Sequence, residues 1–281
     1  MIVDNYALTM FQTCPAKYLL RMKQGWVPIR RRAALGFGGA IHVGLAEFYR
    51  TGKKEEAIKR LVDRWPQNMP VDDFRTREKA VTVMLDYFQE YPSENFKIIG
   101  FPDAPLVEKA FTIDTGMTCF DGEPILYGGI LDGGIEFSGK VYALEHKTTT
   151  RMGDDFKLQF KPNNQITGYI WGLSQLTSLA VGGSMINAIG IYKAQSTRFD
   201  RILTSRTPAE IAEWLENVRH TCDMIRRCEK EDFWPWHTPA CTLYGLCDYH
   251  NVHVLAHPAE RQKRLEQDYV GSEWNHEERD D

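Results

Sequence analysis

The sequence predicts an α/β fold: a central mixed sheet flanked by helices, with a helical N-terminal region and a Cys/His segment towards the C-terminus. Three observations predict it. Helical patterns dominate residues 1–95, segments rich in β-formers cluster in 96–205, and a strong helix start at Thr207 opens the part that leads into the Cys/His segment. The order is helices, a strand cluster, then helix, strands and helix.

Along the chain, Thr9 can cap a short helix running through Phe11, Tyr18 and Leu19. Gly36 to Tyr49 is predicted helical, with Ile41, Leu45 and Phe48 on one face. Asp72 to Tyr91 is predicted as a longer helix, stopped near Pro92. Leu106 to Thr112, Ile125 to Phe137 and Lys140 to Lys147 read as strands with turn residues between them. Asn163 and Asn164 are N-cap candidates for a helix from Gln165 to about Leu179. Met185 to Ala194 and Arg198 to Thr204 read as a further hairpin. Thr207-Pro208-Ala209-Glu210 is a capping box with proline at the first helical position, starting a helix to about Lys230. Pro235 and Pro239 then precede a loop containing Cys and His. The highly charged end, from about Ala259, is an exposed helix or a loose tail. The expected organisation is one domain over 1–258, comprising a helical part (1–95), a core (96–205) and a helix with the Cys/His segment (206–258), followed by a charged tail (259–281).

Hydrophobic residues make up 43% of the 281, and aromatics 12%, enough for a packed core. The net charge of −4 gives no overall basic field, so any affinity for nucleic acid must come from a local groove. Arg30, Arg31 and Arg32, and the pair Arg226 and Arg227, either contribute to such a groove or form solvated surface. No apolar stretch reaches the length of a membrane span, and MIVDNYALTMFQTCP lacks the layout of a signal peptide. A cytoplasmic, reducing setting is expected. There the six cysteines read as free thiols or metal ligands rather than disulfides.

The chemistry concentrates in GGILDGGIEFSGKVYALEHKTTT. Ser138-Gly139 suits a two-residue hairpin turn, which pairs Phe137 with Lys140. Carrying that register back along both strands sets Asp132 opposite Glu145. Directly opposed residues have Cβ atoms about 5 Å apart, a gap that Mg²⁺ with oxygen ligands at about 2.1 Å can bridge. Lys147 projects from the same face as Glu145, and His146 from the other. Two carboxylates that hold a metal, with an ammonium beside them, suit metal-assisted phosphodiester hydrolysis. The bland alternative is an exposed hairpin with a Glu–Lys pattern. The apolar flanks Ile130-Leu131 and Ala143-Leu144 argue against it, because unpaired acids are rarely buried.

This segment resembles the core of the PD-(D/E)xK nuclease superfamily, and more narrowly its RecB-like branch, which includes phage-type exonucleases and CRISPR-adaptation nucleases. Asp132, Glu145 and Lys147 match the family's Asp and Glu-x-Lys, with Leu131 preceding the Asp where proline is common. The resemblance implies a restriction-endonuclease-like fold and Mg²⁺ or Mn²⁺ as cofactor. It also implies a DNA substrate in replication, recombination or repair, and a chain that is either a monomer or a homo-oligomer, or one that works with a recombination or replication partner protein. Gln165 and Tyr169 fit the branch's Q-x-x-x-Y on the following helix, and the resemblance gives them roles in ordering the site and contacting phosphate. It makes His42, after G-G-A-I, an extra metal ligand, and an imidazole favours Mn²⁺. Glu108 binds metal or pairs with a base.

Cys14, Cys241 and Cys247 resemble the cysteines with which iron–sulfur members of the group clamp the chain ends around a 4Fe–4S cluster. His253 stands where the last cysteine is expected, His250 competes with it, and a three-Cys, one-His set also suits zinc. Cys222 and Cys228 are expected to pack on the long helix. The favoured reading is a metal-dependent DNA nuclease, an exonuclease ahead of a structure-specific endonuclease. The alternatives are a non-catalytic nucleic-acid-binding module on the same fold and a zinc-based nucleic-acid module.

Overall fold

The computed structural model describes residues 1–278 apart from 31, 68, 73, 101–103, 178, 195 and 244. Arg31 of the basic run and the last residues of the charged tail lie outside the described residues. In chain order come β1 (Ile2–Val3), α1 (Asn5–Thr13), α2 (Pro15–Tyr18), β2 (Trp26–Pro28), α3 (Ala33–Thr51), α4 (Lys54–Asp63) and α5 (Arg77–Glu90). Then follow β3 (Lys97–Ile98), β4 (Val107–Thr118), β5 (Pro124–Phe137), β6 (Lys140–Thr149), α6 (Asp154–Leu158), α7 (Asn164–Thr177), β7 (Val181–Gly190) and β8 (Arg198–Thr204). The chain ends with α8 (Pro208–Glu231), α9 (His250–His253), α10 (Pro258–Asp268) and β9 (Tyr269–Gly271).

Contacts divide the chain into two compact units. The first holds Met1–Arg30, Thr112–Gly129 and the residues from 212 onward. The second holds Arg31–Phe111 and Ile130–Ile211. The seven-stranded sheet runs β1-β5-β6-β7-β8, with β3 and β4 also pairing with β5.

In the second unit, Ser138 and Gly139 have φ of 49° and 75°. Positive φ at both central residues defines the tight turn whose twist matches a hairpin, and it sets the register Phe137–Lys140 through Gly133–Leu144. This is the register expected from the sequence. The helix α7 then carries the chain back so that β7 lies parallel to β6, pairing Glu145 with Ile186 and Lys147 with Ala188. The β7–β8 pair is antiparallel, so the sheet is mixed, as expected. On the helical side, Phe37, Ile41 and Leu45 of α3 pack with Leu61 of α4 and with Val83, Met84 and Tyr87 of α5. Against α7, a Cβ added at Gly172 would lie 2.7 Å from the Phe111 ring, so only glycine allows this approach.

In the first unit, Ala7, Met10, Phe11 and Tyr18 pack with Ile225 of α8. Within it, β1 pairs in parallel with β5 at Ile2–Leu126, and β2 pairs with β9 at Val27–Val270. Tyr249 stacks on Tyr269 with centroids 5.3 Å apart. The charged end is therefore a helix followed by a paired strand, held by this packing.

Several boundaries differ from expectation. Asp4, not Thr9, caps α1, accepting from the Ala7 N–H at 2.7 Å, and the chain breaks at Cys14 because Pro15 starts α2. The third long helix starts at Arg77 behind Thr76, while Asp72 instead closes a turn by accepting from the N–H groups of Phe74 and Arg75. The short, polar helix α4 was not foreseen. The seventh strand begins at Val181, its start concealed by Gly182 and Gly183. Two caps follow the sequence: Asn163 accepts from the Ile166 N–H at 3.1 Å, and Thr207 and Glu210 bond reciprocally at 2.6 and 3.2 Å.

Truncating fully buried Leu45 to alanine should cost about 2–5 kcal/mol of unfolding free energy, read from the urea midpoint, through lost burial and a cavity. Leu85→Ala, on the exposed side of α5, should stay within about 0.5 kcal/mol.

Candidate active site

Every residue of the expected nuclease site lies in the second unit. Asp132 on β5 is 2% exposed, and its Oδ2 accepts a hydrogen bond from the His146 backbone N–H at 2.7 Å. Its Oδ1 lies 3.3 Å from His42 Nδ1, which α3 delivers. Glu108, near the start of β4, completes a group with these two: one ligand atom from each of His42, Glu108 and Asp132 lies within 4.8 Å of the others. Among the described residues this is the one group of three or more His, Cys, Asp or Glu side chains so placed. Glu108 has φ of 51°, a conformation that costs a non-glycine residue of order 1–3 kcal/mol and that surrounding structure must impose. Such strain tends to mark functional positions, and it supplies a signal for Glu108 that sequence alone does not carry.

Glu145 is also 2% exposed. Its Oε1 lies 2.6 Å from Lys147 Nζ, and its Oε2 is buried with no hydrogen-bond partner among the described residues. A buried carboxylate oxygen without a donor fits a metal ligand, since leaving it unsatisfied is costly. Burial pushes the Glu145 carboxyl up, and neighbouring Asp132 adds to this, while Lys147 and His42 pull it down. Lys147 also donates to Gln165 Oε1 at 2.8 Å, and Gln165 Nε2 donates to the Tyr169 hydroxyl at 3.3 Å. The alternation of β6 and the helical spacing of α7 thus bring Glu145, Lys147, Gln165 and Tyr169 into one bonded row. Phe111 backs Tyr169 edge-on, with centroids 6.3 Å apart.

The opposite face of β6 holds groups that the sequence reading left out. His146 is buried, stacks on Tyr49 and bonds Asn187. Asn187 is flanked by Met185, Ile186, Ala188 and Ile189, so a single buried amide among them was the available signal.

Cys14, Cys241, Cys247 and His253 all lie in the first unit. They do not form a group of the kind made by His42, Glu108 and Asp132, so the geometry does not support one zinc ion held by three or more of them. Their segments are nevertheless tied together. The Ala16 N–H donates to Pro235 O at 3.1 Å, His237 Nδ1 lies 3.0 Å from Thr13 O, and the Cys247 N–H donates to Cys241 O at 2.8 Å. Burial pushes the Cys247 thiol up and the His253 imidazole down. His250 Nδ1 is buried without a hydrogen-bond partner among the described residues, whereas the His253 ring lies against Trp236, with centroids 6.2 Å apart. Cys222 is fully buried on α8, as a packing residue should be.

The family model of the PD-(D/E)XK nuclease superfamily matches residues 6–252. The chain belongs to this superfamily. A solved structure from Eubacterium rectale, provisionally named an exonuclease, is similar over 91% of this chain and 89% of its own, with a TM-score of 0.53 and 16% identity. At that identity the likeness speaks for the fold, a mixed sheet flanked by helices. The solved structure of SSO0001 covers 78% of this chain and 85% of its own at 11% identity, with a TM-score of 0.30, and carries no argument. No curated protein matches the chain.

The raised carboxyl of Glu145 has a consequence for stability. The folded, metal-free chain binds that proton more tightly than the unfolded chain, so the group's stabilising contribution is present below the ordinary value of 4.5 and is lost as pH rises through the folded value. Thermal unfolding in chelator, from about pH 4 to pH 8, should therefore show a decline in wild type that Glu145→Gln flattens. Identical profiles would mean that burial of this charge is not costly.

Proposed function

We propose that this protein is a divalent-metal-dependent DNA nuclease of the RecB-like branch, acting as an exonuclease on linear DNA. The convergence of His42, Glu108 and Asp132 carries the reading, beside a buried Glu145 whose partner is Lys147. His42, Glu108, Asp132 and Glu145 would hold Mg²⁺ or Mn²⁺, and the imidazole suits Mn²⁺. Such an ion, when bound, polarises a phosphate oxygen and lowers the pKa of a coordinated water.

The chain's own groups do the rest. Glu145 and Gln165 take two of the three N–H donors of Lys147 and fix the direction of its ammonium. The third N–H belongs to a side chain 32% exposed, available to a phosphate oxygen as negative charge develops there. Gln165 and Tyr169 extend this polar row along α7, where a nucleic-acid backbone can be oriented. With a net charge of −4, binding depends on such local donors. Among the described residues no helix is long and apolar enough to cross a membrane, and a cytoplasmic setting in replication, recombination or repair accords with this reading.

A second reading concerns the first unit. A 4Fe–4S cluster held by Cys14, Cys241 and Cys247 spreads its ligands wider than a single zinc ion does, and the bonds joining these segments favour it. The orphaned Nδ1 of His250 makes His250 a better fourth ligand than His253.

End-labelled linear DNA with Mg²⁺ or Mn²⁺ should be degraded, and closed-circular DNA spared. Lys147→Ala should lower the rate about 10²–10³-fold, and Asp132→Ala at least as much. Wild-type protein that leaves both substrates intact would favour a non-catalytic binding module, and cutting of the circle would make it an endonuclease. For the cluster, anaerobically purified protein should show iron–sulfur absorbance that Cys14→Ala and His250→Ala lose and His253→Ala keeps.

A further inference from the structure

His146 leaves β6 on the side away from Glu145 and Lys147, into a network that the hydrolytic reading does not use. Its Nδ1 lies 3.0 Å from the Asn187 side-chain nitrogen, which also donates to the Tyr87 hydroxyl at 3.1 Å. Tyr87 meets the Tyr49 hydroxyl at 2.6 Å and accepts from Arg201 at 3.2 Å. Tyr49 donates to Glu94 at 2.9 Å, and Glu94 is ion-paired with Arg201. Arg201 is anchored by Asn95 at 2.7 Å and lies over the Tyr91 ring, 3.7 Å from its centroid.

Counting protons gives this chain a direction. The guanidinium only donates, and the carboxylate beside it only accepts. Burial keeps both phenols protonated. Tyr49 spends its one proton on Glu94, so the single proton of Tyr87 points to Tyr49, and the Tyr87 oxygen must accept from Arg201 and Asn187. Asn187 therefore presents its NH₂, and its second N–H is aimed at His146 Nδ1. That nitrogen must accept, which places the ring proton on Nε2. The His146 ring lies flat on Tyr49 (centroids 5.6 Å, 5°) and edge-on to His42 (5.6 Å, 85°), while the His146 backbone N–H holds Asp132 Oδ2.

We propose that Asn187 is a positioning residue of the active site: the half-buried Arg201–Glu94 pair orders the protons of the chain, Asn187 passes that order to His146 as the Nε2–H tautomer, and the locked His146 holds Asp132 and His42 in place for the metal. The inference rests on the metal-binding reading above, and its test separates the two.

In metal-free protein, ¹⁵N NMR of the histidine rings, with His146 assigned by its loss in His146→Asn, should show His146 protonated on Nε2. Protonation on Nδ1 would overturn the proposal. Mn²⁺ titration followed by EPR should give binding about 10–100-fold weaker in Asn187→Leu than in wild type, as for other groups that orient ligands, with the single tautomer lost. Tyr87→Phe should shift both readouts in the same direction by less. Thr197→Ala, which breaks a 2.7 Å bond to Asp86 on α5, should leave both unchanged. Unchanged Mn²⁺ affinity in Asn187→Leu, or equal weakening in Thr197→Ala, would overturn the proposal. If Asn187→Leu does not fold, Tyr87→Phe and the wild-type spectrum decide. Wild-type protein that binds no Mn²⁺ would sink the metal reading, while the spectrum still decides the tautomer.

Discussion

A buried carboxylate has to be answered by donors or by a cation, and Asp132 imposes that requirement on the second unit. One oxygen takes the His146 N–H and the other faces His42. Meeting those demands requires β5 and β6 in one register and α3 at one distance, while β4 brings a second acid, Glu108, to the same place. The Ser138–Gly139 turn settles the register, because a slip of one residue would turn Glu145 and Lys147 to the other face.

The two faces of β6 divide the work. One carries Glu145 and Lys147 towards α7, whose Gln165 and Tyr169 continue the polar row. The other carries His146 into a buried network on α3, α5, β7 and β8. Polar groups that share hydrogen bonds away from water constrain one another, so a network of this size specifies a particular packing as well as a particular proton arrangement. The membership of the chain in the PD-(D/E)XK superfamily, matched over residues 6–252, spans both faces.

The first unit follows a different logic. Its apolar clusters are small, and backbone hydrogen bonds tie the segment bearing Cys14 to the segment around Pro235 and His237. The charged end that reads as a tail is drawn in by the β2–β9 pair and by the stacking of Tyr249 on Tyr269. Its few apolar positions, such as Leu265, matter more there than its overall charge.

Local chemistry made much of this legible from sequence. A tight turn needs Ser138-Gly139 or something like it, a capping box needs Thr207 and Glu210, and alternation along a strand settles that Glu145 and Lys147 share a face. Those are short-range constraints, written within a few residues of where they act. The convergence of His42, Glu108 and Asp132 could be anticipated only by resemblance, because they are separated by dozens of residues and meet only when α3 and β4 dock on the sheet. The Asn187–His146 contact, the strain at Glu108 and the pairing of β9 with β2 had no local signature. Tertiary structure decided them, since burial and hydrogen-bond satisfaction are properties of what the rest of the chain places around a residue.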